Sequence, residues 1–408
     1  VNNNQIEEIL RTSTDEDLRK KAWLASKQVG AVLEPGLIEL IKLRNESAVK
    51  LGYSDYYDMS VQLQEFDSAW LMQTLESYRA QTDGLFRRVK YDIDQAVSRR
   101  LGVEPDRLMP WHMSDMFFQE APRITNVDLG VYFEDKGDHV IEELATKTYD
   151  AIGLDIRDII ARSDLYERPG KDQHAFCMNV DLKQDVRVLA NLRPNETEME
   201  TLLHEMGHGC YDKYTDMTLP PILHQPAHIF TTEAVAMFFG RHARDPRWYR
   251  QILGVSDADF ATLQAELPRA MRNQMLVSTR WMTHFALFER ELYRTEKGDS
   301  QLWYRGVHDI QYLNVPEDRL TKPDWAAKYH FAMAPVYYHN YLLGEMLASQ
   351  FDHTLRAKGD GADLTPEGGR WFVDNVFRPG ATYPWNTMIE RATGEPLNPS
   401  YLVQQFTL

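Results

Sequence analysis

Cysteine is scarce: two in 408 residues, too few for a disulfide framework and no guide to compartment. Positive charge is short as well. Lys and Arg number 45 against 61 Asp and Glu, a net charge of −16 with His neutral. DNA, RNA and anionic membranes need a net positive face, so no nucleic-acid partner is expected. No apolar run approaches the roughly 18 residues a membrane span requires, and a soluble chain is the expectation. Internal repeats, low-complexity tracts and Ser/Gly linkers are missing too, and the Pro-rich spots at Pro220–Pro221 and Pro379–Pro384 read as loops rather than boundaries. What remains is the balance of a globular protein, with 43% hydrophobic and 26% charged residues and ample material for a core. The chain begins with Val1, not Met. That start points to processing and to a periplasmic or extracellular protein, with the cytoplasm as the alternative.

Most of the chain reads as helix. Ser13 and Glu16 have capping-box spacing, ahead of a run that should stop near Gly30 and Pro35. A second run carries Leu37, Ile38, Ile41 and Leu51 up to Gly52. From Asp67 to Leu101 the apolar residues Trp70, Leu71, Leu75, Leu85, Val89, Ile93 and Val97 keep helical spacing, with Gly102 as the stop. Residues 140–162 and 257–295 look similar. Two short strands are expected at His174–Leu182 and Val186–Leu192, joined through Lys183–Asp185. The expected architecture is mainly α: one domain over residues 1–408, in two lobes, with a small β element.

The strongest chemical signal is His204-Glu205-Met206-Gly207-His208. Pro194 and Asn195 punctuate the chain upstream, and Thr197 with Glu200 has capping-box spacing, so the motif should sit on a helix. Residues four apart share a helical face, and both imidazoles can then reach one ion at about 2.0–2.1 Å. Glu205 is rotated away from that pair, and is placed to take a proton from a water held by the ion. Gly207 and Gly209 each cost a helix about 1 kcal/mol relative to Ala, which calls for a close backbone neighbour. A surface helix with two ordinary histidines is the bland alternative. A zinc hydrolase needs a third protein ligand and an open fourth position. Glu233, near the start of the apolar run Thr231–Phe239, is the candidate. Its bland role is compensation of a helix dipole. The expected ligand set for one Zn²⁺ is His204, His208 and Glu233.

With these residues in view, the chain resembles the angiotensin-converting enzyme family of zinc dipeptidyl carboxypeptidases, with thimet-type oligopeptidases as close relatives. The resemblance runs from about Pro110 to Gly344 in four patches. The metal helix from Leu203 to His208 is the first. His174-Ala175-Phe176-Cys177, thirty residues before His204, resembles the strand along which substrate backbone lies. Lys328-Tyr329-His330 and the run Pro335–Gly344 resemble the family's Lys-x-His and Tyr-x-x-Tyr elements. Met116-Phe117-Phe118-Gln119 resembles the segment whose Gln binds a substrate's C-terminal carboxylate. The resemblance implies a large helical zinc-peptidase fold with a deep substrate cleft between two lobes. It also implies Glu205 as base, His330 as a donor to the substrate, Tyr341 as the phenol that stabilises the tetrahedral oxyanion, and His174 and Ala175 along the peptide. Gln119, Lys328 and Tyr338 would form a clamp for the terminal carboxylate, with Tyr337 able to exchange roles with Tyr338.

Departures from that pattern shape the expectations. The zinc Glu follows one residue later than in converting enzymes, as in the oligopeptidases. Only 118 residues precede Gln119, so the family's long helical lid is expected to be short or missing. Asn340 stands where an Arg commonly holds chloride. Met237 stands where an Asp orients a ligand His, and Asp212 is the expected replacement. The leading function is a peptidyl-dipeptidase acting on oligopeptides. The alternatives are a thimet-like endo-oligopeptidase and a non-enzymatic peptide-binding relative.

Overall fold

The computed structural model describes residues 2–122, 127–359 and 361–407. Among these, helix dominates, and the one sheet is an antiparallel pair, β1 (Phe176–Asn179) and β2 (Val186–Leu189). The mainly helical class read from the sequence holds. Both strands are shorter than expected because Leu182 and Gln184 take positive φ, 55° and 78°, and close the hairpin early. The chain forms two compact units. One comprises chiefly Val1–Ile124 with Arg272–Leu342, the other Thr125–Met271 with Leu343–Phe406. No unit boundary falls at Pro220 or Pro379. Two of them fall inside the continuous helices Asp257–Thr295 and His339–Arg356.

In the first unit the long helix Glu16–Lys50 runs unbroken through Gly30 and Pro35, contrary to the expected stop. A Cβ at Gly30 would meet the Pro323 carbonyl oxygen at 2.4 Å. Gly30 therefore serves the close approach of the helix to the turn Asp324–Ala327, not termination. The cap is also displaced from the expected Ser13. Asp15 accepts the Leu18 amide at 3.1 Å, while Ser13 ends the preceding helix Asn3–Thr12. The helix Ser68–Leu101 is as expected, capped by Asp67 and stopped at Gly102 with φ 69°. The core of this unit is aromatic. Trp281, Phe285, Trp303, Phe331 and Tyr338 are buried, and Phe285 stacks on Phe331 and Tyr338 at centroid distances of 4.2 and 4.1 Å.

In the second unit the expected run 140–162 is two helices, Val140–Ala151 and Arg157–Arg162, because Gly153 turns the chain at φ 76°. The helix Glu196–Tyr214 carries the metal motif and packs on the helix Ile229–Gly240 and on both strands.

Candidate active site

Asn195 opens the motif helix by accepting the Glu198 amide at 2.9 Å; the Thr197–Glu200 pair lies within the first turns instead of capping them. One turn of helix separates His204 from His208 and sets their ring centroids 5.0 Å apart. The Tyr149 hydroxyl donates to the Leu203 carbonyl at 2.7 Å and fixes this stretch from behind. A Cβ at Gly207 would lie 2.8 Å from Ala236 Cα and 3.2 Å from the Val235 carbonyl oxygen. The two helices therefore cross backbone to backbone, which explains the glycine the helix propensity disfavours. That crossing brings Glu233 Oε2 to 3.7 Å from His204 Nε2 and 3.9 Å from His208 Nε2. All three donors lie within 4.8 Å of one another. Bonds of about 2.0–2.1 Å to one tetrahedral ion place ligand atoms about 3.4 Å apart, so Glu233 would need to close on each imidazole by only a few tenths of an ångström.

The chemistry of the donors fits zinc. Burial pushes the His204 imidazole down to about 4 and His208 well below its ordinary value, so both keep neutral rings with free lone pairs at neutral pH. His208 Nδ1 lies 2.7 Å from the Thr232 hydroxyl, leaving Nε2 toward Glu233. The group beside this imidazole is Thr232, the neighbour of Glu233, a partner the sequence reading, which offered Asp212, did not name. Nothing in the spacing distinguishes Thr232 from any threonine at a helix start. Burial pushes the Asp212 carboxyl up to about 6.

Glu205 is 7% exposed. Burial, and then the Glu233 charge, push its carboxyl up to about 8, against the Cys177 backbone amide, which favours ionisation. A dication held by His204, His208 and Glu233 would lower such a group toward neutral pH, where a general base works best. β1 lies along this helix: a Cβ on Gly209 would come within 3.7 Å of Cys177 Sγ. His174, just before β1, is exposed, with Nδ1 3.4 Å from Asp172 Oδ1. It is not a buried structural histidine. Ala175 is half-buried beside it.

The remaining candidates belong to the first unit. Lys328 Nζ donates to Gln119 Oε1 at 2.7 Å, and the Tyr338 hydroxyl donates to the same oxygen at 3.2 Å. Trp281 Nε1 donates to the Tyr338 hydroxyl at 2.8 Å, so the one phenolic proton is directed to Gln119. Burial lowers Lys328 to about 8, opposed by the charges of Asp115, Glu7 and Glu120. Asp115 builds the Gln119 loop by accepting the amides of Phe117 at 2.8 Å, Gln119 at 3.0 Å and Glu120 at 3.0 Å. Neither Asp115 nor Trp281 was singled out from sequence; the Asx-turn spacing of Asp115 to Phe117 was the available signal. The His330 ring lies 4.8 Å from Tyr338 and 6.4 Å from Tyr341. Tyr338 precedes the helix that carries Tyr341, rather than lying on it, and their rings are 5.2 Å apart. The turn before that helix is held hard. Val336 sits at φ 54°, its amide donating to Glu289 at 2.9 Å and its carbonyl accepting from Gln64 at 3.0 Å. Asn340 is fully buried and donates to Gln64 Oε1 at 2.8 Å. In the second unit Arg241 is ion-paired with Glu345.

A family model described as Peptidase family M3 matches residues 154–408, and one described as Angiotensin-converting enzyme matches residues 1–157. No curated protein matches the chain.

Proposed function

Since the chain belongs to peptidase family M3, whose model spans more than half of it, and is thus a zinc-dependent peptidase, we propose that it removes dipeptides from the C-termini of oligopeptides. The observation that carries this reading is the convergence of Lys328 and Tyr338 on Gln119 Oε1. A cation with neutral donors beside it is a receptor for one anionic end group. The terminal carboxylate would displace the Gln119 oxygen from Lys328 and Tyr338 and take their hydrogen bonds.

In this reading His204, His208 and Glu233 hold the zinc ion. When bound, zinc supplies Lewis acidity to the attacking water and the scissile carbonyl. Glu205 takes the proton from the water as its oxygen bonds to the carbonyl carbon. As the family resemblance implies, Tyr341 would donate to the oxyanion that forms and His330 to the substrate, where preorganised donors are worth most. Glu205 then returns the proton to the amide nitrogen as the C–N bond breaks. Ala175 and its strand offer backbone partners to an extended peptide, and His174 a side-chain donor.

A thimet-like endo-oligopeptidase is the second reading. The family M3 match over the metal ligands and the one-residue-longer spacing to Glu233 favour it. Digestion of paired free-acid and C-amidated peptides by zinc-loaded protein, read by mass spectrometry, separates the two. Stepwise loss of dipeptides from the free acids, with the amides spared, is expected. Equal internal cleavage of both sets overturns the dipeptidase assignment.

A further inference from the structure

The hairpin beside the metal centre has a solvent face its own packing does not explain. Phe176, Met178, Val180 and Leu182 project outward from the β1 side and are 40%, 53%, 53% and 61% exposed. The β2 side of the same face carries Arg187 and Asp185, paired at 2.6 Å. Polarity is thus split toward the turn: Arg187 and Asp185 lie opposite Met178 and Val180, half-buried Leu189 lies opposite Phe176, and apolar side chains line the outer edge. A solvated strand face is normally polar, and a bare edge is normally blunted by charge.

The register shows which edge is free. The Val180 amide donates to the Asp185 carbonyl at 2.9 Å, and Met178 pairs with Arg187 and Phe176 with Leu189. Antiparallel alternation then turns the backbone of Ala175, Cys177 and Asn179 away from β2. On that outer edge the Cys177 backbone amide faces the Glu205 carboxylate as its hydrogen-bond donor. The Cys177 side chain packs toward the metal helix, so Phe176 and Met178 occupy the opposite face. The edge that passes the base is therefore the edge flanked by the apolar stripe.

We propose that Phe176, Met178 and Val180 form a subsite for apolar side chains at every second position of an extended peptide substrate paired with β1. The inference rests on the peptidase reading above and adds to it a substrate class. A strand added at this edge sets alternate side chains about 4.5–5.5 Å, Cβ to Cβ, from the outward residues of β1. Leu, Val or Phe there shares apolar surface with the stripe; Asp or Glu does not. A second copy of the chain on this edge would close off Glu205, which a substrate must reach.

The test walks Leu and Asp through each position of one oligopeptide and measures kcat/KM with zinc-loaded protein. Wild type should favour Leu over Asp by about tenfold, equivalent to ~1.4 kcal/mol, at two positions two residues apart, and much less between them. Phe176→Lys and Met178→Lys should turn that preference toward Asp at those positions. Phe176→Ser and Met178→Ser should bring it near unity. Val32→Lys, at a site 77% exposed on the helix Glu16–Lys50, should keep the wild-type profile. Equal zinc content and melting temperature establish that the hairpin variants fold. Hairpin variants with an unchanged profile at every position overturn the subsite and leave the peptidase reading intact. A wild-type protein that cuts no peptide overturns that reading first.

Discussion

In the proposed mechanism Glu205, His208, Thr232 and Lys328 carry separable tasks, and each separation can be measured. Glu205→Gln removes the base without touching a ligand, so the protein should retain about one zinc ion per chain and lose nearly all turnover. His208→Ala should lose the metal itself; zinc retention by that variant would remove His208 from the ligand set. Thr232→Val deletes the oxygen 2.7 Å from His208 Nδ1. Loss of such an orienting partner typically weakens metal affinity about 10–100-fold, which competition with a chelator reads directly. Lys328→Ala should cost on the order of 2–5 kcal/mol in cleavage of free-acid peptides and far less with amides. Burial holds the Lys328 ammonium down to about 8. KM for free-acid peptides should therefore climb above that pH as the cation is lost, while KM for amides stays level. Parallel KM profiles for the two series would mean that Lys328 does not read the carboxylate.

Among elements, glycines in helices illustrate how a local rule is overridden. Gly30 and Pro35 look like a helix stop, yet Gly30 marks a close crossing, and a proline removes one amide from a helix long enough to absorb it. Gly207 and Gly84 make the contrast testable. Both lie inside helices, but a Cβ on Gly84 meets nothing within 4 Å, whereas one on Gly207 meets Ala236 Cα at 2.8 Å. Gly84→Ala should stabilise the protein by up to about 1 kcal/mol, the propensity difference. Gly207→Ala gains the same propensity but forces two backbones apart, an overpacking cost of about 1–3 kcal/mol. Its melting temperature should fall, and its zinc affinity with it, because the crossing sets the distance between Glu233 and the histidines. A Gly207→Ala protein as stable as Gly84→Ala would show that the crossing has slack.

For the whole molecule, pH dependence should reflect a buried ionic group in the second unit. Asp363 Oδ2 lies 3.3 Å from His242 Nε2, and Arg247 donates to both Asp363 oxygens at 3.1 and 2.9 Å. Burial opposes the His242 charge, but the hydrogen bond and charge of Asp363, with Asp245, outweigh it and raise the imidazole above its ordinary 6.5. Burial likewise opposes Asp363 ionisation, and His242 and Arg247 more than reverse it, holding the carboxyl well below its usual range. A raised His pKa stabilises fully below the unfolded value and is lost as pH rises through the folded one. A depressed Asp pKa stabilises above its unfolded value and is lost as pH falls. The network is therefore complete between about pH 4 and 6.5. The melting-temperature gap between wild type and His242→Gln should be widest near pH 5, by the same reasoning, and narrow as pH rises through the raised value of the folded imidazole. A gap that widens with pH would refute the charged His242.

What the sequence by itself determined is local and periodic: the mainly helical class, the helix Ser68–Leu101 with its caps, the hairpin, and two imidazoles on one face with an acid beside them. Such features depend on spacings of a few residues, which backbone geometry converts directly into direction. Glu233 was read as the acid opening an apolar helix, whereas Gln119, Lys328 and Tyr338 came through resemblance, since no spacing rule spans the distances between them. Tertiary structure alone decided that Thr232 holds His208, that Asp115 builds the Gln119 loop, and that Gly30 is a contact rather than a stop. It alone decided which edge of β1 faces Glu205. The unit boundaries were equally invisible, since two of them lie within unbroken helices. The physical reason is common to all of these. A partner distant along the chain is chosen by packing, and packing depends on the three-dimensional path that a short window of residues does not contain.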